Sequence, residues 1–214
     1  MSRPVRHAQG RPLLITDCDE VLLHFVTHFA EWVDEAADLH FALDAPGFAG
    51  ALRHKDGRIV PEERVWPLLD MFFEGEMHRQ NLVPGAVEAL RAIEDAADIV
   101  ILTNIGDDYQ ANRVAQLEAF DIRHRVLCNQ GGKGRPVREL IEAMRPSVTV
   151  FVDDLAVHHE SVAKHAPDVW RLHMIAEPRL AATTPPAAHA HARIDDWGKA
   201  LPWIRGKFAD GTAS

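Results

Sequence analysis

Three apolar runs in this chain stop abruptly at acidic or hydroxyl residues. Leu13-Leu14-Ile15-Thr16 runs into Asp17. Asp98-Ile99-Val100-Ile101-Leu102 runs into Thr103-Asn104, and Ser147 to Val152 runs into Asp153-Asp154. Short apolar runs bounded in this way fit buried strands. Arg125 to Cys128 and Val169 to Ile175 read as two further strands. Helical patterns lie between them. Pro84 to Ala97 carries an apolar stripe at Val87, Leu90 and Ile93, with Pro84 in the first turn. Asp107 or Asp108 is placed to cap a helix reaching Phe120. Pro136 to Met144 and Leu155 to His165 complete the series. Strands alternating with helices predict an α/β fold, an open parallel sheet with helices on both faces. In such sheets the ligand sits beyond the carboxyl ends of the strands, and each polar cluster here lies at such an end.

The stretch after the first strand breaks this rhythm. Phe25, Phe29, Trp32 and Val33 have helical spacing. Residues 39–81 mix Pro46-Gly47, Asp56-Gly57 and Pro61 with an apolar stretch from Val65 to Phe73. The expected organisation is a core of residues 11–22 and 84–205, a small, mostly helical insertion over 23–83, and flexible tails at 1–10 and 206–214. Ala181 to Ala188 reads as a low-complexity loop, and Trp197 to Ile204 as a short helix returning to the body.

Charge narrows the partners. With a formal net charge of -9, the chain is a poor match for nucleic acid or anionic lipid. Cys18 and Cys128 make no disulfide framework, which suits a reducing cytoplasm. Met1 to Gly10 holds Arg3, Arg6 and His7 but no apolar segment of the signal-peptide kind, and no run approaches a membrane span.

Asp17 and Asp19 lie two apart at a strand end, so strand geometry turns both to one side. Were the strand ending at Asp153-Asp154 its neighbour, several carboxylates would converge. Such crowding raises carboxylate pKa values, and a divalent cation relieves it. Hard oxygen donors select magnesium over zinc. In that setting Asp17 fits a nucleophile forming an aspartyl-phosphate, and Asp19 a general acid and base. Thr103 and Asn104 are candidates for binding phosphoryl oxygens, and Lys133 for neutralising charge beside them.

Together these residues resemble the haloacid dehalogenase superfamily of phosphatases. Asp17-Cys18-Asp19 matches its Asp-x-Asp strand end, Ile99 to Thr103 its second motif, Lys133 its lysine, and Asp153-Asp154 its acidic pair. The order and spacing match as well, from Leu13 to Ile175. The resemblance implies a Rossmann-like core and a magnesium ion. The metal ligands would be the side chains of Asp17 and Asp153 and the backbone carbonyl of Asp19, with Asp154 as a further ligand or support. The insertion corresponds to a helical cap that closes over the site. Glu20-Val21 stands where the family often has Gly-Thr. The dehalogenating branch lacks the second Asp, so Asp19 favours phosphoryl transfer.

The expected activity is a magnesium-dependent phosphomonoesterase acting on a small phosphorylated metabolite, as a monomer or homodimer. A phosphotransferase or mutase on the same core is the alternative, as is a weakly active metal- and phosphate-binding regulator. Other readings carry less. His24 and His28 are spaced four apart and His158-His159 follow the acidic pair, yet no third ligand completes a zinc site. Cys18 lies between two aspartates, which raises its pKa and disfavours thiolate chemistry.

Overall fold

The computed structural model describes residues 10–43, 45 and 48–213. Pro46-Gly47 of the insertion, and all of the N-terminal tail except Gly10, lie outside the described residues.

The sheet is six-stranded. Its strands are β1 (Leu13–Thr16), β4 (Asp98–Thr103), β5 (Arg125–Cys128), β6 (Thr149–Asp153), β7 (Trp170–His173) and β8 (Ala192–Arg193). Their order is β5-β4-β1-β6-β7-β8, and every pairing is parallel. The central strand β1 lies between β4 and β6, with Thr16 opposite Ile101 and Val152. That register brings Asp17 to the level at which β6 delivers Asp153.

Alternation along the strands sends side chains to both faces. Leu14, Ile99, Ile101, Val150, Val152 and Leu172 pack on one face. There they meet Leu90 and Ile93 of α4 (Ala86–Glu94), Leu117 of α5 (Gln110–Ala119), and Trp197 and Ile204 of α9 (Trp197–Asp210). Leu13, Ile15, Val100, Leu102 and Phe151 pack on the other face. Their partners are Val137 and Leu140 of α6 (Gly134–Met144) and Val162 of α7 (Ala156–His165). Each such buried aliphatic side chain contributes about 1.5–3 kcal/mol.

The segment between β1 and α4 gathers round its own apolar cluster. Phe25, Phe29, Trp32, Phe41, Val65, Phe72 and Phe73 are buried together, with ring centroids of Phe25 and Phe29 5.5 Å apart. Its helices are α1 (Val26–Ala37), the short α2 (Phe48–Ala51) and α3 (Glu62–Gly75). The insertion is mostly helical, as expected, and to its helices β2 (Leu39–Phe41) and β3 (Leu52–His54) add a short antiparallel pair that the sequence does not suggest. Three-residue strands leave too little alternation to be told from turns.

Several boundaries also differ. Pro84 precedes α4 rather than entering its first turn, because Gly85 takes a left-handed φ of 83° before it. Neither Asp107 nor Asp108 caps α5; both lie in a 3₁₀ turn, Asp107–Tyr109. Part of the expected loop after Ala181 belongs to α8 (Pro178–Thr183). Of the tail expected at 206–214, the described residues 206–213 are ordered against the body. Helix α9 runs on to Asp210, Trp170 Nε1 donates to the Gly211 carbonyl at 2.6 Å, and Lys207 Nζ lies 4.2 Å from the Trp170 ring centroid. That cation–aromatic contact and the buried Ala213 hold the end against β7. No helix among the described residues is long and apolar enough to cross a membrane.

Candidate active site

Asp17 follows directly on β1, and its amide donates to the Val152 carbonyl at 2.8 Å, extending the ladder one residue past the strand. Asp153 closes β6, and Asp154 follows it. Ligand atoms of Asp17, Asp153 and Asp154 all lie within 4.8 Å of one another. Lys133 comes from the start of α6 and is fully buried. Its ammonium lies 2.7 Å from Asp17 Oδ2 and 2.7 Å from Asp153 Oδ2. Residues from three distant stretches of the chain thus meet at the strand ends.

One lysine faces three carboxylates, and the protonation of the group reflects it. Burial pushes Asp17 up to about 7, with Lys133 opposing and Asp153 adding to the rise. Burial raises Asp154 too, helped by the charges of Asp153 and Asp17. For Asp153 burial acts in the same direction but is outweighed by Lys133, and its carboxyl is held below its ordinary range. Lys133 is held charged by Asp153 and Asp17 against its own burial. A further positive charge among these oxygens would remove the repulsion, and an all-carboxylate donor set fits a hard divalent cation.

The carbonyls behind the acids are braced by histidines. His159 Nε2 lies 3.0 Å from the Asp153 carbonyl, and burial pushes this histidine down to about 4. His173 accepts from the Ala187 amide at Nδ1, 2.9 Å, so Nε2 carries the proton donated to the Asp154 carbonyl at 2.8 Å. These contacts fix the backbone that aims the carboxylates. Neither histidine joins the carboxylate group as a ligand. His28 is paired with Glu31 at 3.3 Å.

Asp19 does not join the carboxylate group through its side chain. Its oxygens are held by Arg113 Nη2 at 3.0 and 2.9 Å and by Gln80 Nε2 at 2.7 Å. Thr103 Oγ1 is 3.5 Å away, at the end of β4. Asn104 is engaged by the loop before Lys133: its Nδ2 donates to the Gly131 carbonyl at 2.9 Å, and its Oδ1 accepts from Asn129 at 2.8 Å. It braces that loop. Cys18 is buried, and its thiol is pushed up to about 12 chiefly by burial, with Asp19 and Asp17 adding to the rise.

Two residues had gone unread as parts of this site. Arg113 sits in a polar helix, and its one sequence signal is the four-residue spacing from buried Leu117. Glu20 marks a departure from the family pattern, and the structure gives it a task. Its backbone is left-handed, φ 58°, the conformation that glycine adopts most easily. Its Oε1 accepts from the amides of Phe25 and Val26, both at 2.8 Å, at the start of α1. Its Oε2 accepts from the Glu177 amide at 2.8 Å. Burial raises the Glu20 pKa, and the three amides counter that rise.

No family model matches the sequence, and no curated protein matches it. Solved structures do match. A protein assigned as a HAD hydrolase from Bacillus subtilis, described as bound to magnesium, is 12% identical with a TM-score of 0.63, over 92% of this chain and 99% of that one. A predicted phosphoglycolate phosphatase from Haemophilus somnus is 16% identical with a TM-score of 0.62, over 89% and 96%. A protein assigned as β-phosphoglucomutase from Thermotoga maritima is 14% identical with a TM-score of 0.59, over 91% and 99%. The overall fold is thus shared over nearly whole chains, and the chain has the haloacid dehalogenase-like fold.

Proposed function

We propose that the chain is a magnesium-dependent phosphomonoesterase that works through an aspartyl-phosphate on Asp17. The observation that carries this reading is the meeting of Asp17, Asp153 and Asp154 around Lys133 at the carboxyl ends of β1 and β6. Magnesium would be held by those three carboxylates and the Asp19 carbonyl. When bound it would supply charge neutralisation for the phosphoryl oxygens.

The residues divide the work. Asp17 attacks phosphorus while the leaving oxygen takes a proton from Asp19. Water then attacks the aspartyl-phosphate, Asp19 takes its proton, and inorganic phosphate leaves with Asp17 regenerated. Lys133 stabilises negative charge at Asp17 throughout. The Thr103 hydroxyl is placed for a phosphoryl oxygen, and Asn104 acts by holding the Gly131 loop. The elements from α1 to α3 serve as a cap that selects a small phosphorylated metabolite. The net charge of -9 argues against nucleic acid and anionic membranes as partners. A mutase would share every step up to the aspartyl-phosphate and differ in the acceptor.

The test is hydrolysis of 4-nitrophenyl phosphate with and without magnesium. Wild-type turnover should require the metal. Asp17→Asn should lower kcat by at least about a thousandfold while the melting temperature stays close to that of wild type. Metal-independent turnover, or a fully active Asp17→Asn, would exclude the mechanism.

A further inference from the structure

The Arg113 guanidinium is fully buried, and among the described residues its ion pair is with Asp19. Nη2 reaches both carboxylate oxygens, at 3.0 and 2.9 Å, while Nη1 donates to Cys18 Sγ at 3.2 Å. The Phe73 ring centroid lies 5.7 Å from its central carbon. A buried guanidinium that loses its counter-ion is strongly disfavoured, so Asp19 is kept where Arg113 places it. That place is beside Thr103, which lies 3.5 Å from Asp19 Oδ2.

We propose that Arg113 is the positioning residue for Asp19: it fixes the carboxylate at the end of β4, so that protons move to and from substrate at one place. The inference rests on the phosphatase reading above. Arg113 acts through Asp19, not on the reacting atoms. In the first half-reaction the Asp17–phosphorus bond forms, the ester P–O bond breaks, and the Asp19 proton passes to the departing oxygen. In the second, water oxygen bonds to phosphorus, the Asp17–phosphorus bond breaks, and Asp19 recovers a proton from that water. Both transfers need Asp19 within hydrogen-bond reach of an oxygen on phosphorus or about to join it.

The experiment uses Arg113→Lys, which keeps a positive charge but replaces the planar guanidinium by a compact ammonium. The rates of wild type, Arg113→Lys and Asp19→Asn are compared across aryl and alkyl phosphates in magnesium. The expected result is a fall in kcat of about tenfold or more with KM within about twofold. The loss should grow as the leaving group becomes more basic, moving the slope towards that of Asp19→Asn. A purely structural defect lowers all substrates by one factor, so an unchanged slope overturns the proposal. Should the variant fail to fold, a crystal structure of wild type with magnesium and tetrafluoroberyllate decides. Asp19 still on Arg113 supports the assignment, and Asp19 turned off it overturns it. Wild-type protein inactive on every phosphate removes the phosphatase reading itself, and this inference with it.

Discussion

At the scale of single residues, Glu20 shows how a costly backbone is retained. An L-residue in the left-handed region is disfavoured by about 1–2 kcal/mol. Against this, its carboxylate gathers the amides of Phe25, Val26 and Glu177, which otherwise lack acceptors at the start of α1 and in the chain returning from β7. Glu20→Gly would relax the backbone and orphan those three donors. Each buried donor left unsatisfied costs about 1–3 kcal/mol, so the net change is expected to be destabilising by about 1–3 kcal/mol after water and backbone relief. Urea unfolding measures it; a glycine variant as stable as wild type would show that the carboxylate is dispensable. The same contrast explains what the sequence disclosed. Asp17, Thr103 and Asp153 were legible because each closes an apolar run, Lys133 because glycines flank it, and Asp19 by its two-residue spacing from Asp17. Arg113 was not, since a buried arginine and a solvated one look alike in a polar helix until its counter-ion is placed beside it.

Among the elements, legibility followed length. The runs that became β1, β4 and β6 were readable because each is a continuous apolar block covered on both faces. β8 has two residues and β2 and β3 three each, so tertiary pairing rather than pattern defines them. The full extent of α9 was missed because Gly206 and Lys207 look like the start of a tail, whereas Trp170 gives the last turn something to rest on. One close approach between elements bears on the site. α6 meets α7 at Gly134, whose amide donates to Ser161 Oγ at 3.0 Å, and a Cβ there would overlap the Ser161 carbonyl. Gly134→Ala should push the start of α6 away and carry Lys133 with it. The expected loss is about 1–3 kcal/mol of stability or more, with a fall in turnover exceeding any loss of folded protein. Thermal melts beside turnover per folded molecule separate the two, and a wild-type melt would show that the helices can part without strain.

Over the whole molecule, the chain leaving β7 comes back to the chain leaving β1, and Glu177 joins them. Its carboxylate pairs with Arg179 at 2.6 Å and accepts the Thr27 hydroxyl at 2.6 Å, tying the C-terminal segment to α1. The hydrogen bond from Arg179 leads in lowering its pKa from 4.5 to about 2, against the opposing effect of burial. The folded state therefore binds fewer protons at this position than the unfolded chain does between those values. The resulting stability is present above about 4.5 and is lost as pH falls through about 2. Glu20 acts with the opposite sign: its raised pKa means that protonation in acid favours the folded state. Wild type alone mixes the two, so the difference between wild type and Glu177→Gln is the informative quantity. That difference, taken from chemical unfolding at successive pH values, should be largest near neutrality and shrink steadily from about 4.5 towards 2. A gap that stays constant across this interval would mean that Glu177 is not held ionised by Arg179 and Thr27, and that the tie between these two segments rests on packing and on the hydrogen bond from the Glu177 amide to Glu20.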